Sequence, residues 1–468
     1  MNEGYEIVIG LEVHAELATK SKIFCGCSTR FGAEPNTQCC PVCTGMPGAL
    51  PVLNRRVVEL AVKAGLATEC EIAADSVEDR KNYFYPDLPK AYQISQFEHP
   101  LCAHGRIVLT GGKPVGITRI HIEEDAGKLV HTDAGTLCDF NRCGVPLIEI
   151  VSEPELRSAD EAVDFLRRLR AILLFAGVSD CRMQEGSLRC DVNLSVRRPG
   201  EPFGVRTETK NLNSFQFMQK AIEYEAARQV ALLRSGGQVV QETRRFDPAS
   251  GKTFRMRVKE TADDYRFFPD PDLPPIRLTQ EQLERWRSEL PELPDARCAR
   301  YQAEYGIPAQ DAALLTADRQ TADYFEEALR HGDPVFTARL LVGECFRLRG
   351  ADEGGFPLPA AYLGRLAQLA KEGRINSNTT KRVLGLLWAN PEPPEDCIAR
   401  AGWWQINDEA QLRALAERAA ASNQKAVEQY RKGKQNAIQA LAGQCMGMTN
   451  GLANPALLLG ILHELLDS

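Results

Sequence analysis

The 468 residues are 44% hydrophobic and 25% charged, carry a formal net charge of −7 and include fifteen cysteines. A chain of this length buries several cores, so two to four domains of roughly 100 to 200 residues are expected, and the acidic balance excludes a protein that coats nucleic acid non-specifically. No stretch approaches the roughly 18 uninterrupted apolar residues of a membrane helix, and the opening Met1-Asn2-Glu3-Gly4 carries no basic or apolar leader pattern. A soluble, cytoplasmic chain is therefore expected, its cysteines reduced and any cluster of them suggestive of metal.

Up to about residue 290 the pattern is short alternating runs broken by Gly, Pro and Asn, which predicts an extensive, mostly antiparallel sheet with a few helices. In the first run, Val8 to Leu17, the apolar Ile9, Leu11 and Val13 alternate with Glu12, His14 and Glu16. The period of two puts those three polar residues on one face, which suits either a site or the solvated side of an edge strand. Cys25-x-Cys27, twelve residues, then Cys40-x-x-Cys43 follows. Two close pairs joined by a short loop can wrap four thiolates around a structural, tetrahedral Zn²⁺ with no position left for water; Cys39 is a spare thiol beside them.

His121 to Lys128 contains three consecutive acids, Glu123, Glu124 and Asp125, a costly arrangement unless water or a cation neutralises it. Glu149 interrupts the apolar run Pro146 to Val151 and needs a partner, since an unpaired buried charge costs several kcal/mol. Ser158 to Phe175 reads as a helix capped by Ser158, with Glu161 three residues on. From Ser187 to Arg197 the alternation is sustained: Ser187, Arg189, Asp191, Asn193, Ser195 and Arg197 share one face, with an even choice between a lined cavity and a surface. Acids converging from several strands suit Mg²⁺ bound with a nucleotide; Lys210, beside Glu208 and Asn211, is a candidate cation for its phosphates. Gly251-Lys252-Thr253 imitates the end of a phosphate loop, but Phe246 stands where its first glycine is required, and a hairpin turn is expected.

The proline-rich segment Phe268 to Pro275 can continue neither a helix nor a central strand and marks the approach to a boundary near 290. From 291 to 398 the periodicity is helical, for example over 321–329, 337–348 and 360–369. Pro391, Pro393 and Pro394 then separate a tail, 399–468, whose firmest helices are 411–421 and 456–466.

Seven stretches resemble the B subunit of the glutamyl/aspartyl-tRNA amidotransferase family: Ile9 to His14, Phe31 to Asn36, Lys81 to Asp87, Glu123 to Lys128, Ser187 to Asp191, Lys210 to Phe215 and Asp264 to Pro269. So many long matches, in order, make coincidence implausible. The resemblance implies an α+β chain: a kinase-like cradle on a mostly antiparallel sheet, an all-α middle domain and an α-helical tail meeting tRNA. It implies a heterotrimer with an amidase-type A subunit, the ammonia source, and a small C subunit. ATP would phosphorylate the side-chain carboxylate of Glu-tRNA(Gln) or Asp-tRNA(Asn), and ammonia would then displace the phosphate. Motif by motif, it places Mg²⁺ on Glu12, His14, Glu124, Glu149 and Asp191. Chemistry and face position add Ser187, Arg189 and Lys210 as nucleotide-binding candidates, and the tail's Arg431, Lys432 and Lys434 match the tRNA-facing region. Two other readings remain in play. One is a zinc nucleobase deaminase, because His14-x-Glu16 and Cys40-x-x-Cys43 imitate its metal signature; the other is a non-catalytic zinc-containing tRNA-binding scaffold.

Overall fold

The computed structural model describes residues 4–210, 212–258, 262–350 and 355–467, so Asn211 lies outside the described residues. The chain divides into two compact units, Met1–Pro294 and Asp295–Ser468. It is a mixed α/β chain with one large, mostly antiparallel sheet and a helical C-terminal region.

Nine strands form the sheet of the first unit: β1 (Glu6–Glu16), β2 (Glu71–Ile72), β3 (Cys102–Val108), β4 (Pro114–Glu124), β5 (Pro146–Ser152), β6 (Leu188–Arg197), β7 (Thr207–Lys210), β8 (Glu242–Asp247) and β9 (Lys252–Val258). Their spatial order is β9-β8-β7-β6-β1-β5-β4-β3-β2. Every neighbouring pair is antiparallel except β7 with β8. β1 therefore lies inside the sheet, flanked by β5 and β6, and its polar face is not that of an edge strand.

Three helices, α1 (Arg55–Ala67), α2 (Ala159–Phe175) and α3 (Phe215–Arg234), cover one side. Ile9, Leu11, Val13, Ile120, Ile122, Ile148, Val192 and Leu194 point to that side and pack with Leu60, Phe165, Leu169 and Met218 in a single core. At ~25 cal/mol per Å² of apolar surface, burial of this kind is the main force holding the helices on the sheet. Ser158 caps α2 as expected, its hydroxyl accepting from Glu161 N, and Ser214 caps α3 through Phe217 N. His121 and Glu123 of β4, with the matching positions of β1, β5 and β6, are left to carry the polar groups of the opposite face.

Gly251 turns the β8–β9 hairpin at φ +66°, with its amide donating to Asp247 O, which bears out the hairpin reading of Gly251-Lys252-Thr253. The proline-rich segment is stitched into the first unit by two-residue strands, Phe268–Pro269 against Asp79–Asn82 and Ile276–Arg277 against Asp75–Ser76.

The second unit is helical and holds two apolar clusters, one spanning Tyr301 to Ile398 and one Leu412 to Leu466. Its helices include Arg319–Leu329, Ala360–Lys371, Glu409–Ser422 and Pro455–Asp467. The run expected as one helix over 337–348 is Pro334–Arg339, a π-turn at Leu340–Cys345 and Phe346–Arg349. Among the described residues no helix is long and apolar enough to cross a membrane.

Candidate active site

Strand register decides which acids meet. His14 lies opposite Glu149, and Glu149 opposite His121, so β1, β5 and β4 bring these three side chains to the same face, and Glu123, two residues beyond His121, joins them. His14 Nε2 stands 3.6 Å from Glu149 Oε2 and 3.9 Å from Glu123 Oε2, while His121 Nε2 is 3.3 Å from Glu149 Oε2. Lys81 Nζ approaches Glu123 Oε1 at 3.6 Å. Burial opposes charge on His14, yet its close contact with Glu149 and the charges of Glu149, Glu123 and Asp191 outweigh it and raise the imidazole above its usual range. Glu149, although buried, is held well below the ordinary carboxylate range by His121 and His14. Burial pushes Glu123 upward, against the pull of Lys81.

On the other side of β1, Glu12 lies opposite Asp191 of β6, and Glu208 arrives from β7. One oxygen each of Glu12, Asp191 and Glu208 fall within 4.8 Å of one another. Asn193 Nδ2 donates to Glu12 at 2.8 Å, and Lys210 Nζ sits 2.5 Å from Asp191 and 3.4 Å from Glu208. Burial disfavours the Lys210 ammonium, but Asp191 and Glu208 more than compensate and raise its pKa.

The expected single set of Glu12, His14, Glu124, Glu149 and Asp191 is thus two groups, and Glu124 belongs to neither. Adjacent residues of a strand point to opposite faces. Glu124 turns toward the helix side, where Lys90 Nζ and Ile94 N donate to its Oε1. Glu123 takes the place expected for it; its signal was present in the sequence, but three consecutive acids do not announce which parity faces His14. Ser187 is also drawn elsewhere: its hydroxyl accepts from Arg182 N at 2.8 Å and donates to Asp180 Oδ1 at 2.5 Å, closing a turn. Arg189 is on the expected face, but its Nη2 is paired with Asp125 Oδ2 at 2.6 Å. Nearby Glu16 is pushed up to about 7, first by burial and then by the charge of Asp125.

Both groups fit a hard divalent cation. Glu123 Oε2 is buried with no hydrogen-bond partner, an orphan that an ion would satisfy. In the second group one ammonium faces three carboxylates, an excess of negative charge suited to a cation with oxygen ligands. Beside them opens a cleft of about 1260 Å³ lined by Asn82, Tyr83, Tyr85, Lys210, Tyr265 and Phe268.

The cysteines form a separate cluster. The sulfurs of Cys25, Cys27, Cys40 and Cys43 all lie within 4.8 Å of one another, and Cys40 and Cys43 Sγ are 3.9 Å apart. A tetrahedron with Zn–S of about 2.3 Å requires sulfurs ~3.8 Å apart, so the fit is good. The hydrogen bond from the Cys25 thiol, aided by the Cys40 amide and Lys22 and opposed by burial, holds Cys43 down to about 4. Cys39 stays outside, its Sγ 3.8 Å from Asn141 Oδ1. A deaminase needs its histidine among the metal-binding cysteines; His14 is grouped with Glu123 and Glu149 instead, which removes that reading.

In the second unit, Arg431 ends the helix Gln424–Arg431, and Arg431, Lys432 and Lys434 are all exposed. Lys432 is paired loosely with Glu428, at 3.8 Å.

The protein is one whose antiparallel sheet gathers two carboxylate groups and a lysine beside an aromatic-walled cleft, an arrangement whose oxygen donors suit a hard cation. Residues 7–284 match the model of the GatB/GatE catalytic domain, and residues 323–466 match that of the GatB domain. The chain is 54% identical to the B subunit of the aspartyl/glutamyl-tRNA(Asn/Gln) amidotransferase of Caldicellulosiruptor saccharolyticus, covering 99% of each chain. It is 52% identical to that of Caldanaerobacter subterraneus, over 98% of this chain and 99% of the relative. With that of Myxococcus xanthus the identity is 51%, over 98% of each. The chain belongs to the family of amidotransferase B subunits.

Proposed function

We propose that this chain is the component of a tRNA-dependent amidotransferase that activates the side-chain carboxylate of Glu-tRNA(Gln) or Asp-tRNA(Asn) with ATP and forms the amide with ammonia. It is then a C–N ligase of protein synthesis with glutamine as amide donor. It works in the cytoplasm, in a heterotrimer with an amidase-type A subunit that supplies the ammonia and a small C subunit. The carrying observation is the pair of acid groups on adjacent strands, His14 with Glu123 and Glu149, and Glu12 with Asp191 and Glu208. A scaffold that only bound tRNA would have no use for five carboxylates gathered in two clusters on one sheet face, among them Glu123, whose ionisation burial makes costly.

In this reading both groups hold Mg²⁺, which when bound neutralises phosphate oxygens and screens charge on the transferring phosphoryl. Asn193 orients Glu12, and His121 holds Glu149 toward His14. Lys210 lines the cleft and is placed to stabilise phosphate charge. Arg189, committed to Asp125, orders that carboxylate rather than meeting phosphate first. The rings of Tyr83, Tyr85 and Tyr265 offer apolar faces for a base. Zn²⁺ on Cys25, Cys27, Cys40 and Cys43 staples the fold. Residues 1–290 form the kinase-like cradle, 291–398 a helical domain and 399–468 a tail whose Arg431, Lys432 and Lys434 meet tRNA phosphates.

Reconstitution with the A and C subunits tests the proposal. ADP formation that requires misacylated tRNA is the expected result; ADP formation indifferent to the aminoacyl group, or none, overturns it.

A further inference from the structure

Lys22 is completely buried, although an ammonium in a protein interior is tolerated only when an anion neutralises it. Among the described residues no carboxylate lies within ion-pair distance of it. Its Nζ instead meets Cys43 Sγ at 3.6 Å and Phe140 O at 3.3 Å. The lysine is fixed to the cysteine loop from both ends. Its backbone amide donates to Cys27 O at 2.9 Å, and its stem runs beneath Gly144, where an added Cβ would come 3.8 Å from Lys22 Cδ. The same small cavity wall carries Lys22, Cys25, Cys43 and Gly144.

Glu124, on the same cavity wall, is paired with Lys90, so four neutral thiols would leave the Lys22 ammonium without an ion-pair partner of its own. Four thiolates on a divalent zinc carry two net negative charges, and one buried lysine neutralises half of that excess. The contact goes to sulfur itself, so the N–H donor withdraws electron density from the atom that an electrophile or oxidant would attack.

We infer that Lys22 is the charge partner of the cysteine-bound zinc, donating to Cys43 Sγ so that half of the excess charge of the tetrathiolate is neutralised and its one buried cysteine, Cys43, is shielded from electrophiles. This rests on the zinc reading of the four cysteines. An opposite charge at this range changes sulfur basicity by roughly one to three powers of ten. Nucleophilicity follows a little under half of basicity on a logarithmic scale, so losing the ammonium should speed attack on the thiolates by about tenfold.

The test is zinc release from the full chain during treatment with N-ethylmaleimide, followed with a metallochromic chelator, alongside metal content and melting temperature. Wild type and Lys22→Met should both start near one zinc per chain, and Lys22→Met should release it about tenfold faster at a temperature well below melting. Lys22→Arg, which keeps charge and stem, should stay within about threefold of wild type. Absence of zinc from the wild type defeats the zinc reading itself. Zinc present, with equal release from wild type and Lys22→Met, overturns the role of Lys22 alone. If Lys22→Met cannot be isolated, Lys22→Arg decides: release more than about threefold faster than wild type, despite a normal melting curve, overturns it, and release within about threefold of wild type upholds it.

Discussion

Replacing Glu123 by Gln, set beside Glu124→Gln, separates two neighbours that the sequence presents as equivalent. The Glu123 side chain is 3% exposed, faces His14 at 3.9 Å and Lys81 at 3.6 Å, and keeps one oxygen without a hydrogen bond. The amide preserves its shape and removes one negative ligand from the first acid group. Loss of one such electrostatic partner from a water-poor site costs about 2.7 to 4 kcal/mol at the transition state, on the order of 10²- to 10³-fold in rate. Stability should move the other way. Burial raises the Glu123 pKa in the folded chain, so the folded state binds the proton more tightly, and stability falls as pH rises from the unfolded value through the folded one. Glu123→Gln removes that penalty, and in Mg²⁺-free buffer at neutral pH its melting temperature should equal or exceed that of wild type. Glu124→Gln instead breaks the Lys90 ion pair and weakens acceptance from Ile94 N, so it should lower the melting temperature. The assay is ADP release and amide formation on misacylated tRNA in the reconstituted trimer, with ammonium chloride replacing glutamine. Near-normal amidation by Glu123→Gln would refute the assignment of Glu123 to the first group.

Asp191→Asn should lower ADP release by about 10²-fold or more while the trimer still assembles, measured by the same assay and by gel filtration. Metal analysis should find about one zinc per chain, and Cys40→Ser should lose it and lower the first melting transition. Lys432→Ala with Lys434→Ala should weaken tRNA binding and flatten its logarithmic salt dependence by about 1.4 to 1.8, leaving tRNA-independent glutamine hydrolysis unchanged. Glu225 is fully buried and accepts from Arg228, Thr207, Thr253 and Gln229; burial raises its pKa, but these partners, led by Arg228, bring it below the usual value. A depressed carboxylate stabilises above its unfolded pKa and loses that contribution as pH falls through its folded one. Glu225→Gln should therefore cost about 3 kcal/mol at pH 7 by denaturant melts, and the difference should shrink below pH 4.

Alternation along a strand needs no partner to be read, because successive side chains leave the backbone on opposite sides. Glu12, His14 and Glu16 on one face, the polar face of Ser187 to Arg197, the capped helix after Ser158 and the four-cysteine cluster were accordingly legible in the linear chain. The motif resemblance supplied the family from the same residues. Strand order and register were not legible, since they depend on contacts between segments more than a hundred residues apart. Only the sheet set Glu149 across from His14 and Asp191 across from Glu12, dividing one expected set of ligands into two. Only the sheet chose Glu123 over Glu124, because a run of three acids contains both parities and the register through β5 to His14 decides which one looks into the site. The buried lysine beside the cysteines was invisible for the same reason: nothing in the chain next to Lys22 announces that Phe140, Cys43 and Gly144 fold over it and bring its Nζ to the sulfur.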